Sequence, residues 1–343
     1  MNYLISAYSI NPYHGSEDGV GWNWVLQYEK HYCPGDRIVV LTKSYNKEAT
    51  ERGFAEFGIH HVELQIVDVP RYLDWFREKH SMFHHMYYIL WQHWAWRWVK
   101  KCGIQFDVIH HVTMSDYRIP GQMHKARKAK VIWGPIGGAQ VTPKALRCYE
   151  KKKLAAAFRE WVNKSCSWNP VYRKAVRSFD KIYSSNEETQ KQLQTITGRQ
   201  IDLLSELALK TDFVKLPIER KKNQRFCIVY VGRLIAKKGL DFLLDTLEKM
   251  PEDFPWEMKI YGEGKDRGRL AQRVKSSKNK ARISLEGNLP FARITEAYQS
   301  ADVFVMPSLR ETGGSVLLEA MAHAGTTFLD TVRLPELPHR PGF

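Results

Sequence analysis

The chain has 343 residues, of which 43% are hydrophobic and 26% are charged. This length is sufficient for two domains with full cores, and the composition is that of a globular protein rather than of a disordered chain. The 52 basic residues outnumber the 37 acidic residues, which gives a net charge of +15. This balance predicts anionic partners, such as nucleic acid, acidic membrane or phosphorylated small molecules.

The cysteines and the lack of long apolar runs in the sequence indicate the compartment in which the protein is expected. Five cysteines are dispersed without a C-x-x-C pair, which predicts reduced thiols and neither a disulfide framework nor a zinc site. Residues 1–7 read as a short strand, unlike the basic start and apolar core of a signal peptide. No stretch approaches the roughly 18 apolar residues of a transmembrane helix, so the sequence predicts a cytoplasmic protein.

Strand and helix patterns alternate along the first half. The opening strand leads through a glycine-rich loop, residues 14–21, to a helix expected to begin near Trp22. Further strands are predicted at 37–42, 62–67, 106–112, 130–138 and 182–185, with helices near 48–57 and 187–194. The alternation predicts βα units and a parallel sheet. The loop fails as a dinucleotide fingerprint, because a third glycine would be needed where Trp24 stands. It is either a flexible connection or a loop whose backbone approaches a ligand.

An aromatic stripe interrupts this alternation at residues 71–101. Its aromatic members recur at helical spacing among basic residues; they are Tyr72, Trp75, Phe76, Phe83, Tyr87, Trp91, Trp94 and Trp98. Such a stripe is either core or an interfacial face resting on anionic lipid. A second basic stretch, residues 144–177, either forms solvated helix faces or adds to one positive side.

A polar, charged run at 219–224 precedes a fresh strand and places a domain boundary near 205–224. The predicted division is a first domain over 1–205, a linker over 206–224 and a second domain over 225–343. Strands in the second domain are predicted at 226–232, 257–262, 282–286 and 302–306, with helices near 239–249, 265–276 and 292–300. Two successive α/β domains suggest a cleft between them.

Three glycine-rich segments follow predicted strands of the second half. They begin at Gly232, at Gly262 and, after Glu311, at Gly313-Gly314. Ligands of open parallel sheets bind outside the carboxyl ends of the strands. Arg233 can fork two phosphate oxygens and Lys238 can act as a point charge, so these cations could stabilise a departing pyrophosphate. A single turn of this kind could equally be a solvated connection.

The three segments together resemble a known family. Gly-Arg-Leu-x-x-x-Lys-Gly at 232–239, Tyr-Gly-x-Gly at 261–264 and Glu-x7-Glu at 311–319 are similar to the motifs of glycosyltransferase family 4, the group 1 retaining glycosyltransferases. The resemblance covers most of the chain, from the Gly15 loop to Met321. It implies the α/β GT-B architecture, in which two Rossmann-like domains face a cleft. It also implies a UDP- or GDP-sugar donor, retention at the anomeric carbon, and neither a cofactor nor a required metal.

The resemblance also assigns roles by position. Arg233 and Lys238 would hold the donor diphosphate, Glu319 the ribose hydroxyls and Glu311 the hydroxyls of the transferred sugar. Backbone amides at a helix start would face the distal phosphate. The implied donor-side residues are Gly15, Ser16, Gly232, Gly262, Gly264, Gly314, Ser315, Val316 and Glu319.

Residues 106–111 resemble the Asp-x-x-His-x-His strand end of the same family, although Val112 stands at the position of the second histidine. His110 or His111 would then contact the sugar near the reacting centre; the alternative is a histidine satisfied near a strand end. Gly134–Gly138 would shape the acceptor side. No carboxylate is singled out as a nucleophile, and the resemblance implies front-face departure with the leaving phosphate assisting the acceptor hydroxyl.

The family usually continues well past the Glu-Ala-Met at 319–321, whereas the last ten residues here include three prolines. We therefore expect a truncated second domain with an exposed sheet edge. The leading hypothesis is sugar transfer to a glycan or lipid-linked acceptor in surface polysaccharide or glycolipid assembly, in the cytoplasm or peripherally on the plasma membrane. The alternatives are an inactive truncated product that binds nucleotide or membrane, and a nucleotide-sugar epimerase on the same fold. Nucleic acid is not expected as a partner, because no recognised binding motif occurs.

Overall fold

The computed structural model describes residues 1–14, 17–70, 84–114, 116–206, 224–290, 293–322 and 327–330. The chain divides into two compact units. The first comprises Met1–Gln140 and Trp161–Ala208, and the second comprises Val141–Glu160 and Leu209–Phe343. The predicted linker over 206–224 lies almost wholly outside the described residues.

In the described residues of the first unit, seven parallel strands form one sheet, in the order β3-β2-β1-β4-β5-β6-β7. Their bounds are β1 Asn2–Ala7, β2 Arg37–Thr42, β3 Val62–Ile66, β4 Val108–Thr113, β5 Lys130–Ile136, β6 Lys181–Ser184 and β7 Asp202–Leu203. The predicted strands are confirmed, and β7 is an additional short one. Because β1 and β4 adjoin, the order reverses there, which is the topological switch point of a doubly wound sheet.

The helices of this region are α1 Glu17–Lys30, α2 Lys47–Phe57, α3 His84–Lys101, α4 Lys153–Trp168, α5 Pro170–Arg177 and α6 Glu187–Thr197. Helix α1 begins five residues before the expected Trp22, with the carboxylates of Glu17 and Asp18 in its first turn, where they favour the helix dipole. Gly19 and Gly21 therefore lie inside a helix, not in a flexible loop. A Cβ at Gly21 would stand 2.3 Å from the carbonyl oxygen of Ser9, so this glycine allows close packing.

Both faces of the first sheet are covered, and alternate residues of its strands are buried on opposite faces. Leu4 and Val39 point into one apolar cluster, whereas their neighbours Ile5 and Val40 point into the other. The second cluster includes Trp22 of α1. A sheet buried on both faces explains why its strands are apolar nearly throughout.

Helix α3 contains the described part of the aromatic stripe and shows whether its side chains are buried. Tyr88 and Trp91 are fully buried in the core with Tyr87, and Trp94 and Trp98 pack against the same cluster. The core interpretation is thus confirmed for α3. Residues 71–83, which contain the earlier part of the stripe, lie outside the described residues.

The described part of the second unit contains five parallel strands in one sheet, in the order β10-β9-β8-β11-β12. The strands are β8 Phe226–Val231, β9 Trp256–Tyr261, β10 Ile283–Gly287, β11 Val303–Met306 and β12 Thr327–Asp330, and the helices are α7 Leu240–Leu247, α8 Arg267–Lys275, α9 Ile294–Gln299 and α10 Ser315–Ala322. Along β8, Ile228 and Tyr230 enter one apolar cluster, and Cys227 and Val229 enter the other. This sheet is also covered on both faces.

Strand β12 was not predicted from the sequence. It follows α10 and pairs with β11, from Val303 with Thr327 to Met306 with Asp330. The described sheet therefore extends one strand beyond the last predicted one. The proline-rich residues 331–343 lie outside the described residues.

The segment 141–160 packs with the second unit, although the sequence placed it in the first domain. Tyr149 donates its hydroxyl to Oδ2 of Asp245 at 2.8 Å, and its ring meets Phe242 edge-on. Lys151 Nζ lies 2.8 Å from Oδ1 of Asp266. Helix α4 is continuous across the boundary between units, which falls between Glu160 and Trp161.

No helix in the part of the chain that the structure describes combines the length and apolar character needed to cross a membrane.

Candidate functional site

Three loops of the second unit meet at one edge of its sheet. Strands β9, β8 and β11 are adjacent and parallel, so the loops that follow Tyr261, Val231 and Met306 emerge side by side. Backbone hydrogen bonds link neighbouring loops: the amide of Leu234 donates to the carbonyl of Glu263 at 2.8 Å, and that of Leu309 to the carbonyl of Lys237 at 2.9 Å. The three motif segments thus form one surface.

Gly239 fixes the closest approach between two of these loops. It has a φ of +71°, and a Cβ at this position would stand 1.7 Å from the carbonyl oxygen of Pro307. A side chain is excluded both by the left-handed backbone and by the neighbouring carbonyl. The loop after β8 can therefore lie directly against the loop after β11.

Lys238 and Glu311 form an ion pair across these two loops. Both are largely shielded from solvent, with side chains 12% and 17% exposed. The hydroxyl of Ser308 donates to the same Glu311 oxygen at 3.1 Å. Burial alone would raise the pKa of Glu311, but the charge and hydrogen bond of Lys238, with help from Lys237 and Ser308, hold this pKa below its ordinary value. Glu311 is therefore a firmly ionised carboxylate.

Glu319 occupies a different environment on α10. Its Oε2 accepts a hydrogen bond from the hydroxyl of the buried Tyr298 at 2.8 Å. Burial raises the pKa of Glu319, and the Tyr298 hydrogen bond only partly opposes that effect. Glu319 is thus easier to protonate than an ordinary glutamate.

Cations and backbone amides complete this edge. The side chain of Arg233 is exposed directly after β8. Helix α10 begins at Ser315, after Gly314, and the first amides of any α-helix lack an intrahelical acceptor. The amides of Ser315 and Val316 belong to that class. The arrangement can hold an anion between side-chain cations and a helix start.

A cavity of about 320 Å³ opens beside these groups within the second unit. Its lining comprises Val231, Gly232, Arg233, Tyr261, Gly262, Glu263, Asn288, Leu289 and Ile294. The sequence analysis identified Gly232, Arg233 and Gly262 but missed Asn288, Leu289 and Ile294. The strand-end rule could have found Asn288 and Leu289, because they directly follow β10. Gly264, which was predicted, lies close to this lining at the end of the β9 loop.

His110 of the first unit is buried and satisfied. Its Nε2 lies 2.8 Å from the carbonyl oxygen of Gly134, its Nδ1 lies 3.2 Å from the hydroxyl of Tyr28, and Trp24 packs on its ring. Burial lowers its pKa to about 4, although the Gly134 hydrogen bond opposes this. The ring is therefore neutral at pH 7 and enclosed by α1.

His111 lies on the opposite face of β4 and is also enclosed. Its Nε2 lies 3.0 Å from the hydroxyl of Tyr88 and 2.8 Å from Nε2 of Gln92, and its Nδ1 lies 3.1 Å from Oγ of Ser6. Burial, with a smaller contribution from His110, lowers its pKa to about 3. The expectation that His110 or His111 contacts a sugar is not supported by this geometry, because helices cover both faces of the strand. The alternative of satisfied histidines near a strand end fits both.

The remaining predicted residues of the first unit are placed only in part. Gly15 and Ser16 lie outside the described residues. Gly138, in the predicted acceptor loop, accepts a hydrogen bond from the guanidinium of Arg118 through its carbonyl oxygen, and its amide donates to Oε1 of Gln140 at 3.0 Å.

A polar cluster that the sequence analysis did not identify lies at the carboxyl end of β1. Asn46 donates through Nδ2 to Oγ of Ser9 at 3.1 Å and to Oδ1 of Asp18 at 3.4 Å, and Ser9 donates its hydroxyl to Asp18. Nδ1 of the exposed His14 lies 3.4 Å from the other Asp18 oxygen. The strand-end rule applied to β1 would have indicated Ser9; the partners come from elements distant in sequence.

Comparisons with known proteins agree with the motif resemblance. Residues 214–327 match the family model described as glycosyl transferases group 1. An uncharacterized glycosyltransferase of Methanocaldococcus jannaschii is 27% identical over 303 residues, which cover 85% of this chain and 71% of that protein. The next two relatives are matched over only 20% and 41% of their own length.

Solved structures of similar fold are glycosyltransferases. The lipopolysaccharide outer core galactosyltransferase WaaB aligns over 96% of this chain and 80% of its own, with a TM-score of 0.62 and 16% identity. An Anabaena protein in complex with UDP-glucose, HepE, aligns over 96% of this chain and 79% of its own, with a TM-score of 0.55 and 12% identity.

These similarities establish the GT-B class of fold, built from two Rossmann-like α/β units. They also support the group 1 glycosyltransferases as the superfamily that this chain resembles. The narrower assignment to family 4 stays a prediction.

Proposed function

We propose that the protein transfers a sugar from a UDP- or GDP-sugar to a glycan or lipid-linked acceptor, with retention at the anomeric carbon. The carrying observation is the convergence of Lys238, Glu311 and the start of α10 at one edge of the second sheet, beside the exposed Arg233. We place this activity in surface polysaccharide or glycolipid assembly, in the cytoplasm or peripherally on a membrane.

The donor diphosphate fits the cationic part of this edge. The guanidinium of Arg233 can fork two phosphate oxygens, Lys238 can supply a point charge, and the amides of Ser315 and Val316 can bind the distal phosphate. Lys238 and the amides at the start of α10 are in place before reaction, so they can stabilise the negative charge that develops on the leaving diphosphate with little reorganisation. No metal is required in this scheme.

The two glutamates suit the hydroxyl groups of the donor. Glu311 is ionised and held by Lys238, so it can accept hydrogen bonds from the transferred sugar and orient it. Glu319 can accept the ribose hydroxyls from its position on α10. The neighbouring cavity of about 320 Å³, with Leu289 and Ile294 in its wall, is suited to the base.

Retention is assigned to front-face departure, not to a covalent intermediate. Glu311 is committed to an ammonium partner and Glu319 to a phenol, and neither environment favours a nucleophile. In this proposal the bond between the anomeric carbon and the phosphate oxygen breaks, and the acceptor oxygen bonds on the same face. The acceptor proton passes to the leaving phosphate.

The test is slow donor hydrolysis across a panel of UDP-, GDP- and ADP-sugars. Hydrolysis supports the transferase, interconversion of the sugar supports an epimerase, and binding without either supports an inactive nucleotide-binding product.

Lys238→Ala should lower kcat/KM for hydrolysis about 100-fold, because a fixed cation at the leaving group is lost. Lys238→Arg keeps the charge and should retain more activity. Lys275→Ala is the matched control, since this exposed lysine ends α8 and so lies toward the opposite edge of the sheet. Melting curves of all three variants separate catalysis from folding. If the activity of Lys238→Ala falls only as far as the fraction of unfolded protein explains, the assignment is contradicted.

A further inference from the structure

Helix α4 turns its large apolar side chains toward solvent. Leu154, Phe158, Trp161 and Trp168 are spaced by four, three and seven residues, which places them on one face of the helix. Their exposed fractions range from 63% to 88%. Asn163 and Cys166, the buried residues of the helix, lie on the other side. The apolar face is therefore the outer one, which is the reverse of an ordinary surface helix.

Exposed apolar residues continue along the sequence into α5, in a basic stretch. Val171, in the first turn of α5, is 77% exposed. Residues 161–177 contain four basic residues, Lys164, Arg173, Lys174 and Arg177, and no acidic residue. Lys164 and Lys174 are exposed. Lys151 and Lys152 precede α4, and Lys153 is its first residue; Lys151 is paired with Asp266.

We propose that α4 and the first turn of α5 form a docking surface for an anionic lipid bilayer. Tryptophan and other apolar side chains enter the boundary between headgroups and acyl chains, and flanking lysines are attracted to the negative surface potential. Charge complementarity favours this occupant, because residues 161–177 contain four basic residues and no acidic one, and Glu160 of α4 is paired with Arg147. The described aromatic residues of the 71–101 stripe lie in or against the core, so the proposed contact is placed on α4 and α5.

The proposal deepens the membrane contact in the proposed function, but its test needs neither donor nor acceptor. The full chain is floated with vesicles of phosphatidylcholine alone and with vesicles that also contain phosphatidylglycerol. We expect binding only to the anionic vesicles, and about tenfold weaker binding when salt is raised from about 0.1 to 0.5 M. If the protein binds vesicles but does not hydrolyse any donor, the transferase proposal is contradicted and the docking proposal is not.

A pair of matched double variants locates the surface. Trp168→Ser with Val171→Ser removes two exposed apolar side chains and should lower the vesicle partition coefficient about tenfold. Met86→Ser with Ile89→Ser removes two exposed apolar side chains of α3, 59% and 50% exposed, and should leave binding unchanged. Because all four side chains face solvent, both variants should melt like the parent protein.

Three results would overturn the proposal. The first is equal binding to neutral and anionic vesicles, and the second is loss of binding in the α3 variant in place of the α4–α5 variant. The third is a dimer in light scattering that dissociates in the Trp168→Ser and Val171→Ser variant without any change in vesicle binding, because a second copy of the chain would then cover the face.

Discussion

Glu311 and Glu319 are eight positions apart at the same edge of the second sheet, yet their surroundings move their pKa values in opposite directions. Lys238 stabilises the charged form of Glu311, whereas Glu319 accepts a hydrogen bond from the neutral phenol of Tyr298 and its burial favours the protonated form. One carboxylate therefore stays charged over the working range of pH, and the other can change its protonation state.

This difference predicts that nucleotide affinity depends on pH through Glu319. A raised pKa means that its carboxyl gains a proton as the pH falls, before an ordinary glutamate does, and a protonated carboxyl accepts ribose hydroxyls poorly. The dissociation constants of UDP- and GDP-sugars, whose diphosphate has no group that titrates in this range, are measured by calorimetry from pH 8 down to pH 5 and should therefore increase. Tyr298→Phe removes the hydroxyl that stabilises the carboxylate and should move the midpoint of this change to higher pH.

Glu319→Gln should weaken nucleotide binding about tenfold at pH 8 and remove the pH dependence. The melting temperature of the free variant should be equal to or above that of the parent, because burial disfavours the ionised carboxyl. Glu296→Gln, in an exposed pair with Arg293, is the control. An unchanged pH profile in Glu319→Gln would show that another group titrates.

At the scale of elements, the segment 141–160 is joined to the loop that carries Glu311. Nε of Arg310 lies 3.3 Å from Oε1 of Glu150, with side chains only 16% and 10% exposed. Thr142 donates its hydroxyl to the same carboxylate oxygen. This segment therefore supports the loop that carries Glu311 from outside the linear motif.

Glu150→Gln should destabilise the second unit by about 2 kcal/mol, because the shielded guanidinium of Arg310 loses its carboxylate. Glu160→Gln breaks the more exposed pair with Arg147 and should cost less than about 0.5 kcal/mol. Urea unfolding of both variants measures the difference. Equal effects in the two variants would mean that the Arg310 pair contributes no more than a surface ion pair.

The elements also show how far sequence patterns reach. Apolar runs predicted the strands to within a few residues, because a strand buried on both faces must be apolar throughout. The motif spacing predicted that Lys238, Glu311 and Glu319 lie at one sheet edge. Helical periodicity, however, indicates that α3 and α4 each have an apolar face without indicating which face is inside. The buried Trp91 and the exposed Trp168 therefore became distinguishable only with the neighbouring elements in place.

The same limit applies to pairings between distant residues. The contact of Arg310 with Glu150 joins residues 160 positions apart, and no local pattern indicates it. The enclosure of His110 and His111 depends on two helices, α1 and α3, that cover opposite faces of β4. The local sequence of a strand end with histidines does not indicate whether helices cover it.

At the scale of the whole molecule, the two units have separate cores and differ in their buried histidines. Burial lowers the pKa of His110 to about 4 and that of His111 to about 3, and both residues belong to the first unit. Unfolding exposes them and restores ordinary pKa values near 6.5, so the unfolded chain binds more protons below that pH. The stability contributed by the neutral rings is present above pH 6.5 and is lost as the pH falls toward 4 and 3.

We therefore predict that acid weakens the first unit before the second, by about 2 kcal/mol per histidine at pH 5 relative to pH 7. Two buried thiols report on the units separately, Cys166 in the first and Cys227 in the second. Pulse labelling in urea with a methanethiosulfonate reagent should show the unfolding midpoint of Cys166 falling between pH 7 and 5, and that of Cys227 changing less. His111→Gln should reduce the slope for Cys166 by about half. Parallel losses at both thiols would contradict the prediction.

The close approach of Gly239 to Pro307 has a consequence for any redesign of the proposed donor site. The carbonyl oxygen of Pro307 occupies the space that a Cβ at position 239 would need, and the amide of Leu309 donates a hydrogen bond to the carbonyl of Lys237. The stretches 232–239 and 307–314 therefore pack directly against each other. A chimera that imports only one stretch from another transferase would place two ill-matched main chains in contact. Libraries that aim to change the donor should therefore exchange both stretches as a single cassette and keep glycine at position 239.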